Sequence, residues 1–292
     1  MNKEHKPIET LTFTLAALIA FAANSVLCRL ALKDAMIDAA SFTAIRLLSG
    51  ILMFLILYRF TVKPNAANQQ RTSGSWKSAG LLFIYAASFS FAYISLDTGT
   101  GALVLFGAVQ LTMIAMQFFA GKRLHLAEWF GVTVSFSGLV YLVYPTLATP
   151  SLMGSILMGL SGVAWGIYTL RGRGATDPMW QTALNFYFTL PLVITLGIVS
   201  FPMLNVSAYG VMLAVVSGAL ASALGYTLWY IALRGLSSIE AAVVQLSVPI
   251  IAAFGGVLFV AESISLRLVL ACLLVLGGIV VVLFGRRSIP SR

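Results

Sequence analysis

Charge is what this chain has least of. Only 9% of its 292 residues are Asp, Glu, Lys or Arg, against about 25% in an ordinary soluble domain. With 60% hydrophobic residues as well, it cannot cover a water-exposed surface, and a soluble domain or a disordered chain is excluded. Two cysteines, Cys28 and Cys272, are too few for a disulfide scaffold; both lie in apolar stretches and read as small buried hydrophobes. The two histidines, His5 and His125, fall outside the apolar runs. No His/Cys/carboxylate cluster is available, so neither a metal nor any other cofactor is expected. The same shortage argues against catalysis. Gly159-Leu160-Ser161-Gly162 matches the serine pattern of an intramembrane protease, but no base lies within the spans to activate the hydroxyl. Gly121-Lys122-Arg123 lacks the spacing of a phosphate-binding loop. An enzyme is not expected.

What the chain has in excess is long apolar runs. Charge-free stretches cover 10–28, 78–96, 98–121, 129–170, 178–233, 241–261 and 268–285. A helix needs about 20 apolar residues to cross the hydrocarbon core, so two of these runs must turn within themselves. Pro145 and Thr149-Pro150 mark one turn, Pro202 and Asn205 the other, because proline ends or bends a helix. Residues 39–58 add a span interrupted only by Arg46. The expectation is an all-α polytopic membrane protein with ten helices, at 11–32, 39–59, 76–96, 99–120, 127–145, 151–171, 179–200, 207–233, 238–260 and 265–285. Lys3 and Lys6 ahead of Ala20-Phe21-Ala22-Ala23-Asn24 resemble a cleavable leader, but the apolar run continues to Leu32 and reads as a retained span.

The net charge of +9 is a topology signal. Lys3, Lys6, Arg59, Lys63, Arg71, Lys77, Lys122, Arg123, Arg171, Arg173, Arg234, Arg286, Arg287 and Arg292 fall on the side shared by both termini. Arg29, Lys33 and Arg267 fall on the other. Fourteen against three places both termini in the cytoplasm. The partners expected are lipid and a small solute; nucleic-acid binding has no support.

The chain also repeats itself at a spacing near 139 residues. Thr43-Ala44 recurs as Thr182-Ala183, Tyr93-Ile94 as Tyr230-Ile231, Ala102 as Ala241, Val104 as Val243 and Gly138 as Gly277. Two repeats, 1–148 and 149–292, hold five helices each, so the second enters the membrane from the opposite face. The charges reverse accordingly: Lys122-Arg123 corresponds to Ala261-Glu262, and Asp97 to Arg234. Inverted repeats suit alternating access, since one pattern in two orientations gives two states of similar energy.

Five-plus-five inverted helices in this length resemble the drug/metabolite transporter superfamily, EamA type. The resemblance is carried by Glu240-Ala241-Ala242-Val243-Val244-Gln245-Leu246-Ser247-Val248-Pro249-Ile250, then Glu262 and Gly277-Gly278. The first repeat departs from it, with Gln110 in the proline's place and Arg123 in the acid's. Within the superfamily the overall pattern is most similar to bacterial aromatic amino acid exporters. The resemblance implies a central cavity lined by helices 1, 3, 4, 6, 8 and 9, opening alternately to each side. It places helices 5 and 10 at the periphery, in a monomer or a homodimer.

Polar groups within a bilayer face a cavity or a partner helix. The cavity candidates are Asn24 on helix 1, Tyr85, Ser88 and Tyr93 on helix 3, and Gln110 on helix 4. Helix 6 adds Trp165 and Tyr168, helix 8 Ser217, Ser222, Tyr226 and Trp229, and helix 9 Gln245 and Ser247. For each, the competing role is an ordinary interhelical hydrogen bond, worth about 0.6 kcal/mol. Pro249 frees a carbonyl near Gln245, making either a gating bend or a static kink. Ser155, Gly159, Gly162 and Gly166, and Gly218, Ser222 and Gly225, form small-residue stripes for close helix packing. Trp76, Trp129 and Trp180 read as interface-belt residues. Arg46 is open to three readings: a substrate carboxylate, a structural partner, or a lipid headgroup reached along its stem.

No acid lies near mid-membrane, which argues against a proton-driven exporter of cationic drugs. A lone buried arginine argues against carriers of sugar phosphates. An aromatic, amide-bearing and uncharged cavity suits a neutral or zwitterionic solute. The expected function is facilitative export of aromatic amino acids and related neutral metabolites; the alternatives are export of other neutral metabolites or drugs with weak proton coupling, and a non-transporting receptor or assembly subunit.

Overall fold

The computed structural model describes residues 7–61, 74–121, 125–144, 150–172, 177–236 and 238–285. Ten of the basic residues behind the orientation (Lys3, Lys6, Lys63, Arg71, Lys122, Arg123, Arg173, Arg286, Arg287 and Arg292) lie outside them, as do Pro145 and Thr149. Among the described residues the protein is all-helical, and strand pairing is limited to a single bridge between Ile37 and Val206.

The first six helical bodies are unbroken: α1 (Pro7–Lys33), α2 (Ala39–Thr61), α3 (Trp76–Tyr93), α4 (Thr98–Phe119), α5 (Leu126–Val143) and α6 (Leu152–Gly172). The next three differ from the single helices expected at 179–200, 207–233 and 238–260. Residues 178–200 form α7 (Pro178–Tyr187) and α8 (Leu190–Ser200), parted at Phe188-Thr189. Residues 208–232 form α9 (Ala208–Val216), a π-helical segment (Ser217–Leu224) and α10 (Gly225–Ala232). Residues 238–260 form α11 (Ser238–Gln245) and α12 (Val248–Val260), parted at Leu246-Ser247. The last body is α13 (Leu266–Gly285). Pro191 and Pro249 each stand in the first turn after a break. Each lacks an N–H and crowds the carbonyl four residues back, so the helix restarts.

Among the described residues, nine helices are long and apolar enough to cross a membrane, and α3 is not among them. Its 18 residues carry Lys77, Ser78, Ser88 and Ser90, and both Ser88 and Ser90 are buried within the bundle. The chain is a multi-pass membrane protein.

Packing follows the small residues. A Cβ on Gly162 would lie 2.6 Å from Ala108 Cβ and the Leu105 carbonyl, and one on Gly166 3.1 Å from Thr112 Cβ, so α6 lies close against α4. A Cβ on Gly218 would collide with the Arg46 carbonyl and the Ser49 hydroxyl, seating the π-helical segment on α2. Gly159, in the same stripe, has nothing within 4 Å. The α5 and α13 helices pack on each other: Gly278 meets the Gly131 carbonyl, and Ser135 donates to the Val275 carbonyl at 3.0 Å. Gly277, paired with Gly138 by the repeat, faces open space, whereas a Cβ on Gly138 would lie 2.7 Å from Leu274 Cβ. The repeat-matched threonines do behave alike. Thr43 donates to the Ala39 carbonyl at 2.7 Å and Thr182 to the Pro178 carbonyl at 2.8 Å, each four residues back.

Candidate functional site

A small cavity lies where six helical bodies meet. Helix α1 contributes Phe21 and Asn24, α3 Tyr85 and Phe89, α4 Leu105 and Phe106. Trp165 comes from α6, Tyr226 from α10 and Gln245 from the last turn of α11. These are bodies 1, 3, 4, 6, 8 and 9 in chain order, the six that the resemblance assigns to a cavity. None of the lining residues is acidic.

Aromatic rings fill most of the space. Trp165 stacks on Tyr226 at 5.1 Å between ring centroids and 28° between planes, and on Tyr168 at 5.3 Å and 21°. Tyr85 also approaches Trp165, at 4.8 Å between centroids and tilted by 39°. Aromatic pairs of this kind contribute about 0.5–1.5 kcal/mol each beyond area burial, so the stack holds α3, α6 and α10 together. About 20 Å³ remains free, room for one water, which needs roughly 10–15 Å³ by this measure. The structure is closed around its centre.

Two polar contacts set the helix register around the cavity. Ser161 donates to the Tyr85 carbonyl at 3.0 Å, joining α6 to α3. The Ser217 hydroxyl donates to Asn24 Oδ1, joining the π-helical segment to α1. In a π-helix the i→i+5 pattern brings residues five apart near one another on a face, so Ser217 and Ser222 both reach neighbouring helices.

Arg46 lies about two turns into α2 and is 2% exposed. Its Nε donates to Ser222 Oγ at 3.3 Å and its Nη2 to the Tyr85 hydroxyl at 2.9 Å. The guanidinium carbon sits 4.8 Å from the Phe89 ring centroid and 5.2 Å from that of Tyr85, both cavity-lining rings. The headgroup reading of Arg46 is therefore wrong: the side chain turns inward and binds side chains of the core. The residues that line the cavity are themselves uncharged, and the Arg46 guanidinium lies outside the lining, against the Tyr85 and Phe89 rings.

The candidates read from the sequence divide accordingly. Asn24, Tyr85, Trp165, Tyr226 and Gln245 line the cavity. Tyr168 backs Trp165 and receives a hydrogen bond from Asn185 Nδ2 at 3.3 Å. Ser217 and Ser222 hold Asn24 and Arg46 rather than lining the space. Trp229 packs edge-on against Phe21 at 5.9 Å. Tyr93 donates to the Thr98 carbonyl at 3.2 Å, away from the cavity lining. Ser88 and Gln110 are buried outside the lining, and Gln110 Nε2 has no partner among the described residues. Ser247 caps back onto the Val244 carbonyl at 2.6 Å beside the break at Pro249. Phe21, Phe89, Leu105 and Phe106 were not anticipated. Of these only Phe89 left a signal, because Tyr85, Phe89 and Tyr93 recur every four residues along one face.

A second polar cluster lies where α1 ends. Arg29 Nε donates to Glu262 Oε1 at 3.0 Å, and its Nη1 donates to the Tyr93 and Ile94 carbonyls, each at 3.0 Å. Asp97 Oδ1 is 3.3 Å from Nη2. Glu262 Oε2 accepts from the Thr98 backbone N–H at 2.8 Å, and Lys33 donates to the Val260 carbonyl at 3.0 Å. The cluster ties α1 to the ends of α3, α4 and α12. A polar vestibule of about 220 Å³ adjoins it, lined in part by Asp97, Glu262 and Arg267. Arg29, Lys33 and Arg267, grouped on one side by the charge count, thus lie at one end of the bundle.

The pattern of the EamA-like transporter family matches residues 152–284. The uncharacterized protein PA1977 of Pseudomonas aeruginosa is 48% identical over 283 residues, covering 97% of both chains. An uncharacterized transporter of Archaeoglobus fulgidus is 25% identical over 210 residues, covering 70% of this chain and 74% of its own. A solved crystal structure, 20% identical, superposes with a TM-score of 0.61 over 94% of this chain and 99% of that one, a likeness of fold. Similar to one relative along nearly its whole length, and matching the family pattern over its second half, the chain belongs to the EamA-like transporter family of the drug/metabolite transporter superfamily, and is a membrane transporter, not an enzyme.

Proposed function

We propose that this transporter exports aromatic amino acids and related neutral metabolites by alternating access, moving them down their gradient across a bacterial inner membrane. The observation that carries this reading is the Tyr85–Trp165–Tyr226 series of rings at a six-helix junction, flanked by the amides of Asn24 and Gln245. Ring faces suit an aromatic side chain, and amides suit the polar end of an amino acid. The reading also draws on the resemblance of the sequence pattern to bacterial aromatic amino acid exporters.

The cavity is far smaller than an amino acid, so a solute enters only when the rings part. Opening at one end requires the Arg29–Glu262 contact to break. Opening at the other swings on the interruption before Pro249. We read the ten helical bodies as two inverted repeats, 1–148 and 149–292, with α3 as the tenth span and both termini cytoplasmic. In support, α3 and α4 pack on α6 as α10 and α12 pack on α1, and α5 pairs with α13. That arrangement is what a pseudo-two-fold axis relating opposed halves requires.

Among the described residues no acid lines the cavity, and on this reading coupling to protons is not built into its wall. The test is uptake of labelled phenylalanine, tyrosine and tryptophan into proteoliposomes, with competition from aliphatic and cationic amino acids. Saturable flux that favours aromatics and persists without a pH gradient supports the proposal. Flux that requires a protonmotive force overturns the facilitative part, and indifference to aromatic side chains overturns the cargo.

A further inference from the structure

Arg46 is the one lysine or arginine, among the described residues, enclosed by the core beside the cavity. Its surroundings are ill-matched to a full positive charge. The groups that meet it are two hydroxyls and two ring faces. Among the described residues no carboxylate pairs with it, and Nη1 is buried with no hydrogen-bond partner. The Tyr226 hydroxyl, on a cavity-lining ring, is likewise buried and makes no hydrogen bond of good geometry among the described residues. A guanidinium carries five N–H donors in a fork that matches a carboxylate. Placing such a charge in a membrane core without a counter-ion is costly, and intramembrane charges are kept where they pair or bind cargo.

The surrounding backbone is arranged to keep Arg46 in place. The π-helical segment delivers Ser222 to Nε. A glycine at 218 lets that segment settle on the Arg46 carbonyl itself. Tyr85 bonds Nη2 while its ring lines the cavity. Nη1 is thus the open part of a guanidinium that is held at Nε by Ser222 and at Nη2 by Tyr85.

We propose that Arg46 binds the carboxylate of the transported solute, with Nη1 and the Tyr226 hydroxyl as its donors once the Trp165 stack opens. This rests on the amino acid reading above and deepens it: the aromatic rings select the side chain, and Arg46 selects the acid. The transporter then discriminates against amines of the same shape that lack a carboxylate.

The experiment measures equilibrium binding of phenylalanine, 3-phenylpropionate and phenethylamine to the purified transporter in nanodiscs, for wild type, Arg46→Lys and Arg46→Gln. Wild type is expected to bind phenylalanine and 3-phenylpropionate about 10- to 100-fold more tightly than phenethylamine, the range of a charge-assisted hydrogen bond. Arg46→Gln is expected to bring that ratio close to one, and Arg46→Lys to keep part of it, having the charge without the fork. Equal binding of phenylalanine and phenethylamine by wild type overturns the proposal and needs no variant. Discrimination retained in Arg46→Gln overturns it too. If that variant does not fold, Ser222→Ala, which frees Nε alone, is expected to weaken phenylalanine binding relative to phenethylamine; an unchanged ratio counts against the proposal. If none of the three ligands binds, the aromatic reading fails by itself. Butyrate and pentanoate then test Arg46: binding that Arg46→Gln abolishes upholds its role, and no carboxylate binding overturns it.

Discussion

Replacing Glu262 by Gln tests whether the Arg29 cluster holds one end of the transporter shut. In the structure the carboxylate serves two donors, Arg29 Nε at 3.0 Å and the Thr98 N–H at 2.8 Å, and its side chain is 9% exposed. Glutamine keeps the shape, but one of its terminal atoms becomes a donor, so it can accept from only one side. A hydrogen bond to a charged group contributes about 1.5–3 kcal/mol and a neutral one about 0.5–1.5. Weakening one bond and losing the other therefore removes about 2–3 kcal/mol. Asp97 remains beside Arg29 but is 61% exposed, so its screened attraction offsets little. Taking about 2 kcal/mol as the net effect, the population open at this end rises roughly 30-fold. Cys28, fully buried next to Arg29 in sequence, is a native reporter. In a Cys272→Ala background, Glu262→Gln should speed maleimide labelling of Cys28 by about that factor at temperatures well below melting. An unchanged labelling rate, or one that rises only together with global unfolding, would refute the clamp.

Substitutions at Trp165, Gly218 and Gly159 follow from the packing. Trp165→Ala removes three ring contacts and should lower aromatic amino acid flux at least tenfold. Trp165→Phe should retain more flux than Ala, and equal flux in all three proteins would return Trp165 to a packing role. Gly218→Ala should lower the melting temperature in detergent or prevent folding, because its Cβ meets the Arg46 carbonyl. Gly159→Ala, facing open space, should leave melting within about 0.5 kcal/mol of wild type. Asp38 is expected to contribute to acid sensitivity. Burial raises its pKa, but the N–H groups of Ser41 and Asn205 hold the carboxylate below its usual 3.8 on balance. A depressed folded pKa means the contribution is present above 3.8 and is lost as pH falls through the lower folded value. Asp38→Asn should melt at lower temperature at pH 6, and the difference from wild type should shrink toward pH 3; a constant difference would contradict the assignment.

How much of this was legible in the sequence depended on whether the information was local. Span positions were, because a bilayer demands apolar length; α1, α2, α4, α5, α6 and α13 fall close to the ranges read from hydrophobic runs. The interruption ahead of Pro249 was legible from the missing N–H, and the matching one ahead of Pro191 carried the same signal but went unread. The π-helical stretch was not legible, since Ser217–Leu224 is a run of small and apolar residues equally compatible with an α-helix. Among site residues, Asn24, Tyr85, Trp165, Tyr226 and Gln245 stood out because polar and aromatic groups are costly or distinctive in a membrane. Phe21, Leu105 and Phe106 did not, since an apolar residue facing a cavity looks the same as one facing lipid. Arg46 was visible as a charge, but its neighbours Ser222 and Tyr85 lie 176 and 39 residues away, and only the fold brings them together.

The central claim is that the closed chamber around Trp165 carries aromatic amino acids from one side of the membrane to the other. Counterflow tests it most directly: proteoliposomes are loaded with unlabelled phenylalanine and diluted into a trace of labelled phenylalanine. Alternating access through one aromatic site predicts a transient accumulation of label above equilibrium, reproduced by internal tryptophan but not by internal lysine, and abolished in Trp165→Ala. Label that only equilibrates, at the same rate whether the vesicles hold phenylalanine, lysine or buffer, would contradict it.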